Sequence, residues 1–353
     1  MNISVKELKE KEGSKVEEIS WNILNRMREL GNTSVYGGFC LSYVAYLSLK
    51  NKINDVYQLV EYMELTFSPE RVSFIKGNIE NLWNIAIEIG EAYSEETLLA
   101  VVLWWPLQGN KFMGECETPQ SVVKLANEIL QISNDKTADF CSGIGTFLVN
   151  AIERNPESQF YGVELDSISG RIGKLLYPES DIQIKGLEET SFSNNFFDAV
   201  IGNVPFGEYK VNDREYNKNN FLIHDYFFAK SIDKVRNGGV IAFITSSGTM
   251  DKKDESVRRY LAARAEFLGA IRLPNDTFKG IAGTEVTSDI IFLKKRDSIR
   301  ERDEDWIHLA EDENGLTYNK YFVDHPEMVL GSMKEVSGRF GNTIACLPKE
   351  NTD

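Results

Sequence analysis

The 353-residue sequence predicts an α/β protein in which a helical N-terminal domain precedes a seven-stranded, mostly parallel, doubly wound sheet. Three observations carry that prediction. Up to about residue 108, apolar residues recur at helical spacing and β-type alternation is hard to find. From about residue 110, short apolar runs alternate with amphipathic stretches, the signature of βαβ units. Beyond residue 297 the chain turns acidic and loop-rich, and its patterning weakens. The predicted organisation is a helical domain over 1–108, the sheet domain over 109–297 and an acidic C-terminal extension over 298–353, a tail or the start of something further.

In the first domain, Val16 to Leu30 sets Ile19, Ile23, Leu24 and Met27 near helical spacing, and Val56 to Leu65 and Val72 to Ile89 behave alike. Packing against the next domain and docking of a specific partner both stay open as its role. The predicted strands are Thr137–Phe140, Phe160–Leu165, Ile182–Lys185, Phe197–Ile201, Val240–Ile244, Leu268–Arg272 and Ile290–Lys294. Ligands of such sheets bind beyond the carboxyl ends of the strands, and the motifs below fall there.

Composition bounds the class. At 42% hydrophobic and 26% charged residues the chain is ordinary for a soluble globular protein. No apolar run approaches the ~20 residues of a membrane span, and the start MNISVKELKEKEGSK lacks a signal-peptide core. Cys40, Cys116, Cys141 and Cys346 are scattered without a CxxC pair. That argues against a disulfide framework or a zinc site, so no metal is expected and a reducing cytoplasm is the expected setting. The net charge of −15 argues against nonspecific nucleic-acid binding by the chain as a whole. The charge is uneven, however. Residues 201–300 carry 17 lysines and arginines against 13 acids, residues 1–200 carry 17 against 29, and residues 301–353 carry 5 against 12. A mildly basic face is compatible with DNA contact without predicting it alone.

The first strand runs into Asp139-Phe140-Cys141-Ser142-Gly143-Ile144-Gly145-Thr146-Phe147 and then a helix. Gly143 and Gly145 let the backbone turn tightly and lie against a ligand without Cβ interference. Glu164 ends the second strand, where an acid accepts hydrogen bonds from the ribose hydroxyls of an adenosine group. This pair fits both NAD and S-adenosylmethionine, and a plain αβ turn with a surface Glu would also supply it. Leu148 stands where the third glycine of GxGxxG belongs, which favours a cofactor without phosphates. Upstream, Thr118 and Pro119 suit a helix cap and first turn, an explanation sufficient on chemistry alone. Glu188, after the third strand, is a candidate acceptor for the adenine amino group of the cofactor.

The most informative stretch is Asp198-Ala199-Val200-Ile201-Gly202-Asn203-Val204-Pro205-Phe206-Gly207. A planar amino nitrogen such as adenine N6 is a poor nucleophile, because its lone pair is delocalised into the ring. The Asn203 side-chain oxygen and a neighbouring backbone carbonyl can accept its N–H bonds, draw it toward tetrahedral geometry and stabilise the developing positive charge. Phe206 would stack on the substrate ring. Asn-x-Pro-aromatic is also a good turn. The polar loop Glu208 to Asn220 reads either as a flap over substrate or as a mobile loop. His224-Asp225 opens the next helix and reads as packing or capping rather than as a base. Phe278 fits the second side of an aromatic sandwich around a flipped base, or the core.

Taken together and in this order, these motifs resemble the catalytic domain of N6-adenine DNA methyltransferases over about 110–297, in particular the γ-type enzymes and the modification subunits of type I restriction systems. Gly114-Glu115-Cys116-Glu117-Thr118-Pro119 resembles the segment those enzymes place against the methionine part of the cofactor. Asp139 to Gly145 resembles their cofactor turn, Glu164 their ribose acid, Asn203 to Phe206 their Asn-Pro-Pro-Tyr/Phe motif and Phe278 their adenine-facing aromatic. The stretch Tyr161 to Lys295 is also similar to the methylase portion of large methylase–helicase proteins of conjugative elements and phages, where Gly-Asn-Val-Pro-Phe-Gly occurs too. Tyr321-Phe322-Val323-Asp324-His325-Pro326-Glu327 is similar to the same group.

The resemblance implies a Rossmann-like S-adenosylmethionine-dependent methyltransferase fold and methyl transfer to adenine N6 in DNA. It implies Asn203, Val204, Pro205 and Phe206 as catalytic residues, Phe206 and Phe278 against the substrate, and Thr118, Asp139, Cys141, Gly143, Gly145, Glu164, Leu165, Glu188 and Asn203 around the cofactor. Expected partners are adenine-containing DNA and a separate specificity subunit or a helicase region, without a membrane. Methylation of RNA or of a glutamine amide, or a noncatalytic cofactor-binding module of a mobile-element defence or antirestriction system, are the alternatives. Two departures stand out. Val204 replaces the first proline of the motif, keeping the carbonyl but with a less rigid backbone. No separate target-recognition domain is expected after 297, so specificity is expected from the N-terminal part, inserted loops or a partner.

Overall fold

The computed structural model describes residues 5–29, 35–50, 53–66, 73, 76–107, 120–130, 136–177, 179–279, 285–338 and 341–349. The chain divides into two compact units, Met1–Glu117 and Thr118–Asp353.

The first unit contains helices α1 (Val5–Glu29), α2 (Val35–Leu49), α3 (Val56–Thr66), α4 (Ile79–Ala92) and α5 (Glu95–Leu107). Every residue from Leu41 to Leu47 in α2 is buried. A helix apolar on all sides must be surrounded, and α1, α4 and α5 pack against it. The expected stripe of α1 turns inward, with Val16, Ile19, Ile23, Leu24 and Met27 all buried. Helix α4 buries Leu82, Ala86 and Ile89, one face at i, i+4 and i+7. Asp55 caps α3, its Oδ1 accepting the N–H groups of Tyr57 and Gln58 at 2.9 Å.

The second unit is built around one sheet. Its elements are α6 (Gln120–Leu130), β1 (Lys136–Asp139), α7 (Thr146–Arg154), β2 (Gln159–Glu164), α8 (Ser167–Leu176), β3 (Asp181–Ile184), β4 (Phe197–Asn203), α9 (Ile223–Lys234), β5 (Val235–Ser246), α10 (Gly248–Asp251), α11 (Ser256–Arg264), β6 (Ala265–Leu273) and β7 (Ser288–Lys295). The seven expected strands are present, in the order β3-β2-β1-β4-β5-β7-β6. Strands β1 to β5 pair in parallel, and β7 runs antiparallel to both β5 and β6. Both faces are covered: Ile201, Ile244, Ile290 and Phe292 enter one apolar core, Val200, Phe243, Ile291 and Leu293 the other. Such strands read as continuous apolar runs. Among the described residues, no helix is long and apolar enough to cross a membrane.

The stretch expected to be a weakly patterned extension is folded into this unit. It holds a 3-10 turn at Asp305–Ile307, β8 (Leu309–Glu311) paired with β9 (Thr317–Asn319), α12 (Lys320–Asp324), and the hairpin β10 (Ser332–Gly338) to β11 (Gly341–Leu347). Trp306, Ile307, Tyr318, Phe322, Val329 and Cys346 enter the same core as Val200 and Phe243. Buried polar groups fasten it. The Arg258 guanidinium donates to the carbonyls of Ile307 at 2.6 Å and Lys252 at 2.7 Å. Arg272 makes two 2.8 Å bonds to Asp289 and one of 3.0 Å to Asp251, and lies 4.3 Å from the Phe322 ring centre. Elements of three to seven residues are too short to show periodicity, and partners this distant in sequence leave no local signal.

Candidate active site

The candidate residues gather at the carboxyl ends of β1, β2 and β4. After β1 the chain turns through Gly143 at φ +53° and Gly145 at φ +94°, backbone conformations that L side chains rarely adopt. A Cβ on Gly145 would also stand 2.3 Å from the Tyr177 ring. The Glu164 carboxylate spans this turn: Oε2 accepts the Gly143 N–H and Oε1 the Asp166 N–H, both at 2.7 Å. The acid is buried to 9% exposure, so its position is fixed before any ligand arrives.

One strand over, the turn meets the reaction motif. Asp139, almost wholly buried, accepts the Cys141 N–H at 3.0 Å. The Cys141 thiol donates to the Asn203 carbonyl at 3.0 Å. Burial, with Asp139 and Glu164 adding their negative charge, holds that thiol protonated far above its ordinary range. Gly202 makes the approach possible. At φ +152°, a Cβ there would stand 2.6 Å from Asp139 Oδ1 and 3.1 Å from Cys141 Sγ. Sequence reasoning did not select Gly202 as a site residue, although a glycine directly before the strand-end Asn was the signal.

Asn203 closes β4 opposite Ile244 of β5. The next residue continues the pairing, with the Val204 N–H donating to the Ile244 carbonyl at 3.0 Å and its side chain buried. Pro205 and Phe206 are half-buried. Phe206 packs on the cluster of Ile201, Ile244 and Phe278. Phe278 itself is 1% exposed, so its ring belongs to that core and presents no free face here.

The remaining expected residues are placed unevenly. Leu165 projects from the end of β2 at 75% exposure. Glu188 is exposed on a 3-10 turn after β3, its carboxylate folded beside Gly186. Thr118, with the segment 114–119, lies outside the described residues. Among the described residues, no group of three or more His, Cys, Asp or Glu could hold a metal ion.

The loop after the motif is anchored to α9. Asp213 Oδ2 accepts from Tyr226 and Lys230, both at 2.8 Å, and the Tyr216 hydroxyl donates to Asp233 at 2.6 Å. Burial pulls the Asp213 carboxyl upward, but its bonds to Lys230 and Tyr226 outweigh that and hold it below the ordinary range. His224 and Asp225 are buried in the first turn of α9, where Asp225 pairs with Lys252 at 2.5 Å. Burial lowers the His224 imidazole below its ordinary value, which agrees with packing rather than base chemistry.

The arrangement fits an adenosine-bearing cofactor. A fixed acid stands at the end of β2 with two backbone glycines in a tight turn beside it, and the Cys141 thiol joins that turn to the Asn203 carbonyl. Comparison with known proteins agrees. The family model described as N-6 DNA Methylase matches residues 91–320. The chain is similar to the Defense against restriction protein B of Escherichia phage P1, 32% identical over 193 residues, 52% of this chain and 8% of that protein. It is also similar to the type I restriction enzyme MjaIX methylase subunit of Methanocaldococcus jannaschii, 30% identical over 121 residues, 31% of this chain and 21% of the relative. The matched stretches are thus a small part of either relative.

Two solved structures share the fold. A chain from a type I restriction–modification system superimposes with a TM-score of 0.57 at 16% identity, over 81% of this chain and 75% of that one. A Listeria monocytogenes protein assigned to the class I S-adenosylmethionine-dependent methyltransferases gives 0.53 at 17% identity, over 82% and 90%. The seven-stranded sheet is similar in fold to that of the Listeria protein.

Proposed function

We propose that this chain, which belongs to the N-6 DNA Methylase family, transfers a methyl group from S-adenosylmethionine to adenine N6 in DNA, working in the cytoplasm. The observation that carries the reading is the bridge from Cys141 to the Asn203 carbonyl, which fixes the acceptor Asn against the turn that Glu164 spans.

The chain's own residues divide the work. Glu164 would accept the ribose hydroxyls while keeping its backbone bonds, since a carboxylate offers about four lone-pair sites. Gly143 and Gly145 let the turn lie flat against the bound molecule. Leu165 would cover the adenine of the cofactor, Glu188 would take its amino group, and Thr118 and Asp139 would border its methionine part. When bound, S-adenosylmethionine supplies an electrophilic methyl group. Asn203 Oδ1 and the Val204 carbonyl would accept the two N6–H bonds of the target, raising the nitrogen's nucleophilicity and stabilising the charge that develops there. Phe206 would stack on the target ring, with Pro205 holding the turn. Phe278 would join the stack only after leaving its core position. A separate specificity subunit or a helicase region would supply target recognition.

The name of the phage relative favours a second reading, a cofactor-binding module within an antirestriction system. Labelled cofactor offered with unmethylated DNA, RNA or protein separates the two. Label in DNA is expected, falling about 10²–10³-fold in Asn203→Ala. Label entering only RNA or protein overturns the DNA assignment, and cofactor binding with no transfer overturns the enzymatic reading.

A further inference from the structure

The loop that leaves the reaction motif borders an open cavity of about 250 Å³, lined by Lys210, Asn212, Tyr216, Asn217, Asn220 and Phe221 among others. That is smaller than the ~300–1,000 Å³ of whole small-molecule sites, and suits one group of a larger ligand. The walls are held from behind by the bonds of Asp213 and Tyr216 to α9. The cavity is therefore preformed rather than assembled on binding.

Its polar chemistry is one-sided. The loop's internal bonds engage the amide oxygens: Asn212 Oδ1 accepts from Asn217 at 2.8 Å, Asn217 Oδ1 from the Asp213 N–H at 3.0 Å, and Asn220 Oδ1 from Lys210 at 2.5 Å. What remains on offer is mostly donors: the amide N–H groups of Asn212 and Asn220, the second amide N–H of Asn217 and the remaining N–H bonds of the exposed Lys210 ammonium. The acids nearby do not cancel this. Asp213 faces α9 and is paired with Lys230, and Glu208 and Glu215 are exposed and do not line the cavity. Donors and one cation, beside the rings of Tyr216 and Phe221, suit an anionic, acceptor-rich group attached to something less polar. The loop springs from the carboxyl end of β4, the edge that carries Asn203.

We propose that this cavity is a phosphate pocket that grips the backbone of the DNA strand through Lys210 and the amides of Asn212 and Asn220. The proposal rests on the methyl-transfer reading for its choice of DNA. In the test, a fluorescein-labelled, adenine-containing duplex is titrated with the full chain between 50 and 200 mM salt by anisotropy. Lys210→Ala should reduce the slope of log affinity against log salt by about 0.9, the loss of one phosphate contact. At the lowest salt its affinity should fall roughly tenfold, the size of one charge-assisted hydrogen bond. Lys210→Arg should restore both, and Arg214→Ala, on the same loop outside the lining, should change them less.

Calorimetric cofactor binding should stay level in all variants. Equal slopes for wild type and Lys210→Ala overturn the pocket and leave methyl transfer untouched. Equal losses from Lys210→Ala and Arg214→Ala indicate a diffuse basic rim and also overturn it. A wild type that binds no duplex overturns the pocket and leaves methyl transfer to the labelled-cofactor assay, whereas Lys210-dependent DNA binding without transfer overturns only the activity. Lys210-dependent binding confined to RNA, or to inorganic phosphate or dAMP, overturns the DNA assignment.

Discussion

Val204 stands where the resemblance leads one to expect proline, and the structure gives the substitution a physical meaning. A proline ring fixes its own φ but has no N–H to donate. Val204 instead donates to the Ile244 carbonyl at 3.0 Å and buries its side chain against the core. With the Asn203 carbonyl held by Cys141, the peptide unit between Asn203 and Val204 is pinned at both its carbonyl and its N–H. Val204→Pro should therefore destabilise the protein by about 1–3 kcal/mol, the cost of an unsatisfied buried carbonyl. An unchanged urea midpoint for that variant would show the bond to be unimportant. At this scale, the strand-end positions of Gly143, Gly145, Glu164 and Asn203 were legible because each follows or closes a strand that the apolar pattern marks. Gly202 and the Cys141 bridge were not, since they depend on β1 lying beside β4, a lateral juxtaposition that no linear motif expresses. The core position of Phe278 was hidden for the same reason.

Strands and helices divide in the same way. The seven strands were readable because burial on both faces writes unbroken apolar runs, and α1 because its stripe repeats over several turns. The segment after residue 297 was not, and its attachment to α11 carries a pH signature. His308 bonds through Nδ1 to Glu255 at 2.9 Å and through Nε2 to Asp303 at 2.8 Å. The bond to Glu255, then that to Asp303, raises the imidazole above its ordinary value. The native state thus holds this proton more tightly than the unfolded chain. The stabilisation is complete below the unfolded value of about 6.5 and drains away as pH rises through the higher native value. Glu255 and Asp303, held low by bonds to His308 and Arg259, contribute above the ordinary carboxylate range and lose their share only in acid. An NMR titration of His308 should show a midpoint above 6.5. Denaturant stability should decline above that pH, less so in His308→Gln. A midpoint at or below the free value would exclude the clamp.

For the whole molecule, the second unit keeps its seven-stranded sheet between cores on both faces, one of which depends on residues far along the chain. Phe322 is wholly buried in it and meets the Arg272 guanidinium. Phe322→Ala should cost about 3–5 kcal/mol and lower the melting temperature by several degrees, although the residue is absent from every candidate site. A melting point within a degree of wild type would mean that this core collapses around the gap. The same packing bears on how the protein can be dissected. The family match begins at residue 91, inside α4, and stops at residue 320, the first residue of α12. A gene truncated to those limits would break a helix at one end. At the other it would discard Phe322, Val329 and Cys346 and leave the pocket they fill open to water. The limits of the family match and the limits of the compact units are different places in this chain.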